Sequence, residues 1–86
     1  MPRNPDQLDI FPDQIWLRRV DPEQNMRRFY AMTVSRDLFG HGILAREFGR
    51  IGQPGRVMTE VFEDEAQAVI ALAKQAKAKQ RRGYSE

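Results

Sequence analysis

The feature that most constrains the fold is a change in the spacing of apolar residues near position 64. Before it, short segments rich in aromatic and β-branched residues alternate with turn-forming residues, which is typical of strands joined by tight loops. After it, apolar residues recur three and four positions apart, the spacing of one helix face. These helical positions are Ala66, Val69, Ile70, Ala73 and Ala76. The sequence therefore predicts strands followed by one helix.

Four segments have the composition of strands. They cover residues 15–21, 27–36, 43–51 and 56–62. Turn signals separate them, including Pro22 after the first segment and the Pro54–Gly55 pair after the third. In the second segment apolar residues fall at both odd and even positions, which predicts a central strand with side chains packed on both faces.

The limits of the helix are also marked. Asp64 followed three residues later by Gln67 resembles a capping box, and Gly83 lies where a helix end prefers glycine. Four strands and one helix predict an α+β domain: a small antiparallel sheet of about four strands with one C-terminal helix packed on one face. Residues 1–13 contain three prolines and are expected to form an extended tail, which leaves residues 14–86 as the domain. The single tryptophan, Trp16, is expected to be buried.

The composition argues against several classes of function. The chain has no cysteine, which excludes disulfides, thiolate metal sites and cysteine nucleophiles. No apolar run approaches the roughly 20 residues of a membrane helix and no signal-peptide core is present, so a cytoplasmic location without a membrane partner is expected. The single histidine, His41, lies between two glycines in a turn. Because no zinc, EF-hand or P-loop pattern occurs either, we expect no catalytic residue, no metal and no cofactor.

The third strand carries the candidate binding site. Leu44, Arg46, Phe48 and Arg50 are spaced by two and therefore share one face. A ring between two guanidinium groups suits nucleic acid, because arginine pairs with phosphate and a flat ring stacks on a base or sugar. In the alternative interpretation, Phe48 packs in the core and the arginines extend to solvent. The opposite face, expected to be more core-like apart from Glu47, carries Ile43, Ala45, Gly49 and Ile51.

The end of the predicted helix is strongly basic. Its cations, with no acid among them, are Lys74, Lys77, Lys79, Arg81 and Arg82. Such a run can attract phosphate. It is also typical of a solvated helix end, where cations interact favourably with the helix dipole, and this second interpretation is the favoured one.

Residues Glu47-Phe48-Gly49-Arg50-Ile51-Gly52 resemble the Trp-Gly-Arg-Ile-Gly segment that names the WGR domain family. The resemblance extends from Trp16 to Tyr84 through further blocks in family order and spacing. These blocks are Leu17–Asp21, Asn25, Arg28–Tyr30, Asp37–Gly40, Phe62–Ala66 and Arg82–Tyr84.

The resemblance implies the same fold and adds a function. WGR domains of poly(ADP-ribose) polymerases help to recognise DNA ends; there the motif's tryptophan packs against the terminal nucleotide and its arginine contacts DNA or neighbouring domains. By position these roles fall to Phe48 and Arg50, and Arg46 joins them because it shares their strand face. Phe48 replaces the tryptophan with a smaller ring that lacks the indole donor, which implies a weaker contact. The chain, with no polymerase domain, resembles stand-alone bacterial members.

Two functional hypotheses result. The leading one is a non-catalytic nucleic-acid-binding module, with DNA favoured, in which Arg46 and Arg50 meet phosphates and Phe48 contacts an exposed base or terminal sugar. The alternative is a protein–protein interaction module that uses the same face or a sheet edge, because aromatic and arginine side chains are also enriched at protein interfaces.

Overall fold

The four predicted strands form a single antiparallel sheet. In the computed structural model, which describes residues 13–86, the strands pair in chain order. They are β1 (Gln14–Asp21), β2 (Met26–Arg36), β3 (Gly42–Arg50) and β4 (Arg56–Phe62), and they are followed by the helix α1 (Glu65–Arg81). The α+β class and the C-terminal helix are confirmed, and each strand limit lies within one residue of its predicted position. The predicted tail lies outside the described residues except for Asp13.

The turn between β1 and β2 sets the register of the first hairpin. Pro22 begins a short 3-10 turn, and Asn25 ends it in the left-handed conformation with φ 51°. The amide of Asn25 donates to the carbonyl oxygen of Pro22 at 3.1 Å. The register of β1 and β2 on either side of this turn places Arg19 opposite Arg28. Directly opposed residues share a face of the sheet, so both arginines point to the same side.

The helix covers the face of the sheet that carries Leu44, which we call the helix-side face. Its buried residues are Leu17, Tyr30, Met32 and Leu44, packed against Ala68, Leu72 and Ala76 of α1. The expectation that the opposite face, with Ile43 and Ala45, would be core-like is therefore wrong. The physical reason is side-chain volume. The opposite face carries small residues at its centre, which cannot fill the space beneath a helix as Leu17, Met32 and Leu44 do.

The other side of the sheet, which we call the open face, has no helix packed on it within residues 13–86. Its apolar side chains remain partly in solvent, and Trp16 is 48% exposed. The expected burial of Trp16 is thus wrong, because Trp16 alternates with the buried Leu17 and so points away from the core.

The buried stripe of α1 shares Ala76 with the predicted one and otherwise differs from it. Ala68, Leu72 and Ala76 face the core, whereas Ala66 is exposed and Ile70 is 50% exposed. In an alanine-rich helix, two neighbouring stripes have nearly the same apolar content. The large side chain of Leu72 decides which of them packs on the sheet.

Local hydrogen bonds close both ends of α1. The Asp64 carboxylate accepts the amide of Gln67 at 2.9 Å, as the sequence predicts. At the other end Gly83 takes φ 96°, and the amide of Tyr84 donates to the carbonyl oxygen of Lys79 at 3.1 Å. This Schellman-type end turns the chain back over the sheet, so the ring of Tyr84 meets the Tyr30 ring edge-on.

Candidate nucleic-acid interface

The predicted site residues lie in a row along β3, from the core to solvent. Leu44 is 1% exposed beneath the helix, Arg46 and Phe48 are partly buried, and Arg50 is exposed. Their spacing does place them on one face. That face is the helix-side face, so a ligand reaches these residues only near the end of the sheet, where α1 ends.

Phe48 is fixed against a second ring. It lies opposite Tyr30 in the register of β2 and β3, and the two rings stack with centroids 5.4 Å apart and planes 15° from parallel. Phe48 also packs against the hydrophobic core. One side of its ring is therefore covered by protein, and the side chain is neither sealed in the interior nor free in solvent.

Arg46 is hydrogen-bonded to one member of the same aromatic pair. Its Nη1 donates to the Tyr30 hydroxyl at 3.3 Å. Its Nε is buried and has no hydrogen-bond partner among the described residues. A buried guanidinium nitrogen without an acceptor is costly, and an anionic ligand oxygen would satisfy it.

Arg50 connects the end of β3 to the β1–β2 turn. Its Nη1 donates to the carbonyl oxygen of Asn25 at 3.1 Å, and its Nη2 donates to Oδ1 of the same residue at 3.3 Å. The motif arginine therefore stabilises the turn in the free protein. A ligand contact would use the part of the guanidinium that Asn25 leaves open.

Three arginines form a row across the sheet beside this site. Arg19 lies opposite Arg28, and Arg28 lies opposite Arg50, so all three side chains share the helix-side face. We call these residues the arginine row. Although Asp21 follows on the same face of β1, none of the three takes part in an ion pair within residues 13–86. Like charges directly opposite each other destabilise a sheet, and a bound anion would remove that repulsion.

Two cations from the end of α1 complete the site. Nζ of Lys79 lies 4.5 Å from the centroid of the Tyr30 ring and 5.6 Å from that of Tyr84. The pKa of Lys79 is lowered, first because partial burial desolvates its ammonium group, and then because Arg82, Arg46 and Arg28 lie near. Part of the basic end of α1 thus lies against the sheet. We call the whole set the basic cluster; it consists of Arg19, Arg28, Arg46, Arg50, Lys79 and Arg82.

Sequence reasoning missed the contributions of Arg19, Arg28 and Lys79 to this surface. A signal for the first two was available, because a short turn after Asp21 constrains the register of the hairpin and brings the two arginine doublets of β1 and β2 together. The position of Lys79 depends on how α1 packs on the sheet, which no local pattern encodes.

Replacing Arg28 with threonine is expected to raise the free energy of unfolding by about 0.2–1 kcal/mol, because the substitution removes the central charge of the arginine row and leaves a β-branched residue in a strand. Urea unfolding at low ionic strength measures this change. The gain should shrink at high salt, which screens surface charges.

The matched control for this substitution is Arg36→Thr. Arg36 lies on the same strand and face, but its Nε is 3.9 Å from a carboxylate oxygen of Glu65. Its replacement should leave stability unchanged or slightly lower. A destabilised Arg28→Thr protein would contradict the described repulsion.

A separate polar group closes the β2–β3 turn. The Asp37 carboxylate accepts the amides of Phe39 and His41, each at 2.9 Å, and contacts Nδ1 of His41 at 2.9 Å. Desolvation acts to raise the pKa of Asp37, but these hydrogen bonds outweigh it and the pKa is lowered.

Within residues 13–86, no three His, Asp or Glu side chains gather in a way that could hold a metal ion. No helix in that range is both long and apolar enough to cross a bilayer.

Comparison with known proteins shows which family this chain resembles. The family model described as WGR domain matches residues 13–86. A curated relative, the "Uncharacterized protein y4dW" of Sinorhizobium fredii, is 40% identical over 73 residues, which is 85% of this chain and 36% of the relative. This chain therefore corresponds to about a third of that protein's length. No solved structure matches the chain at a significant level.

Proposed function

The chain belongs to the WGR domain family, which is associated with nucleic-acid binding, and from this premise we propose that it is a non-catalytic module that binds nucleic acid, with DNA favoured, through the basic cluster. The observation that carries the proposal is the arginine row, with three guanidinium groups on adjacent strands and no ion pair within residues 13–86. A phosphate backbone neutralises such a row and releases its own counterions.

Each part of the cluster has a different task in this proposal. Arg28 and Arg19 contact phosphates, because neither guanidinium has a protein hydrogen-bond acceptor within the described residues. Arg46 adds a positive charge beside Phe48, and its buried Nε becomes available to a phosphate only if neighbouring side chains move. Phe48 offers only the side of its ring that Tyr30 leaves uncovered, which suits a sugar or the outermost base of a nucleic acid.

The binding is expected to depend strongly on salt and weakly on sequence. Phosphate contacts position a protein on nucleic acid but carry no base information. The basic cluster consists of guanidinium and ammonium groups around rings that already stack on each other, a composition that suits phosphate rather than a particular base.

Replacing Arg28 with alanine is expected to weaken binding to duplex DNA by about tenfold at low salt and to reduce the slope of log K against log salt by about one, because one phosphate contact is lost. Fluorescence anisotropy with blunt and nicked duplexes across a salt series measures both quantities. Arg28 is preferable to Arg50 for this test, since Arg50 also holds Asn25.

The control variant is Arg36→Ala, which removes a cation of the same strand and face at its other end. It should bind within about twofold of the wild-type protein, because its charge lies outside the basic cluster and contributes only a screened, long-range term. The proposal fails if the wild-type protein binds neither duplex at low salt, or if the Arg28 and Arg36 variants lose affinity equally.

A further inference from the structure

The open face carries an aromatic pair flanked by two more arginines. The indole of Trp16 lies parallel to the Phe29 ring, with centroids 6.4 Å apart and planes 5° from parallel. Arg18 lies opposite Phe29 in the hairpin register, and Arg27 lies two residues before Phe29 on the same face of β2. Both arginine side chains are exposed. This side of the sheet thus combines an accessible ring with cations, separately from the basic cluster.

Glycine backbone fixes one member of the aromatic pair. Phe29 lies opposite Gly49, which has no side chain to cover it. A Cβ atom at Gly55 would approach the Phe29 ring to 2.7 Å, so the turn before β4 is packed closely against that ring. Phe29 is consequently a partly buried support, and Trp16 beside it, 48% exposed, is the ring that a ligand can reach.

We propose that the open face is a second binding site, which takes single-stranded nucleic acid by stacking a base on Trp16 and placing phosphates on Arg18 and Arg27. Aromatic rings flanked by cations are the usual means of holding single strands, because every base has a face that can stack. Inside a duplex the bases are already stacked on each other, so only a terminal base could use this ring.

The charges of the open face favour this occupant over an apolar protein surface. Neither Arg18 nor Arg27 forms an ion pair within residues 13–86, so both can meet phosphate. Two carboxylates lie near this ring. Glu47 stands in the same cross-strand row as Trp16 but beyond Ala31, and Glu86 lines one pocket with Trp16, Gln14 and Thr33, on the side away from Arg18 and Arg27. Both would repel phosphate and so direct the strand from Trp16 toward the two arginines.

Each of the two arginine doublets therefore places one cation on each side of the sheet. In Arg18–Arg19 and in Arg27–Arg28, the first residue points to the open face and the second to the helix-side face. The open-face site stands on its own contacts and does not depend on the basic cluster.

The test uses the intrinsic fluorescence of Trp16, which is the chain's single tryptophan and lies in the proposed site. Adding an oligothymidylate single strand at low salt is expected to quench this fluorescence to saturation. Arg27→Ala should weaken the titration at least about fivefold, whereas Arg28→Ala, on the other face, should leave it within about twofold. Trp16→Leu should reduce binding of a labelled strand, and Trp16→Phe should partly restore it, because the stacking face returns.

Several results would overturn the inference. One is saturating binding without any change in Trp16 fluorescence. Another is equal loss of quenching in the Arg27 and Arg28 variants, which would place the strand on the basic cluster. A third is strong protection of Trp16 from acrylamide in the free protein, which would mean that the open face is already covered. Duplex binding that depends on Arg28 would survive all three results, so failure here is distinct from failure of the proposed function.

Discussion

Replacing Leu72 with alanine is expected to lower the free energy of unfolding by about 2–5 kcal/mol. Leu72 is 0% exposed and is the large side chain through which α1 packs on Leu17, Met32 and Leu44. A domain of this size has a total stability of only about 4–13 kcal/mol, so the loss removes a large share of it. Thermal unfolding followed by circular dichroism should show a fall in Tm of about 4–8 °C for each kcal/mol lost.

The control for this substitution is Ile70→Ala. Ile70 is 50% exposed and lies two residues away on the same helix, so its truncation should cost less than about 1 kcal/mol. Comparable losses from the two variants would mean that a different stripe of α1 faces the sheet.

A methyl group at Gly42 is expected to destabilise the fold by about 1–3 kcal/mol or more, and so to give the second large effect. Gly42 is buried where β3 begins, directly beneath the start of α1. A Cβ atom there would collide with the carbonyl oxygen of Asp64 and lie 2.8 Å from Cα of Glu65. Both are backbone atoms, so Gly42→Ala can be accommodated only if the start of the helix moves. Thermal unfolding of this variant measures the cost.

A suitable comparison for Gly42→Ala is Ser35→Ala, an exposed change on the neighbouring strand that should alter stability by no more than about 0.5 kcal/mol. An unchanged Tm for Gly42→Ala would show that β3 and α1 are not in the close contact described. A displaced helix would also move Lys79 from the Tyr30 ring and so alter the surface proposed to bind nucleic acid.

The parts of the fold that local chemistry encodes could be predicted from the sequence. The turn at Pro22, the cap at Asp64 and the end at Gly83 each depend on a few adjacent residues, and each was found where the sequence indicated. The choice of buried face could not be derived in the same way. Both faces of β2 and β3 carry apolar residues, and only a comparison of how well each fills the space under α1 distinguishes them.

The candidate site divides in the same way. The shared face of Arg46, Phe48 and Arg50 is a consequence of strand geometry alone. The juxtaposition of Arg28 with Arg50 depends on the pairing of residues that lie 22 positions apart in the chain, and the stacking of Phe48 on Tyr30 depends on the same register. For this reason spacing could indicate a ring flanked by guanidinium groups but not that Tyr30 already covers one side of that ring.

The bidentate contact between Arg50 and Asn25 uses one edge of the guanidinium group of the motif arginine and leaves another edge open to a ligand. A guanidinium group has five N–H donors in one rigid plane. Asn25 accepts one hydrogen from each terminal nitrogen, which occupies the end of the fork and leaves the edge that contains Nε. An anion bound along that edge would be connected to the β1–β2 hairpin through a single planar group. Binding of an anion would then stiffen the β1–β2 turn, and loosening of that turn would weaken anion binding.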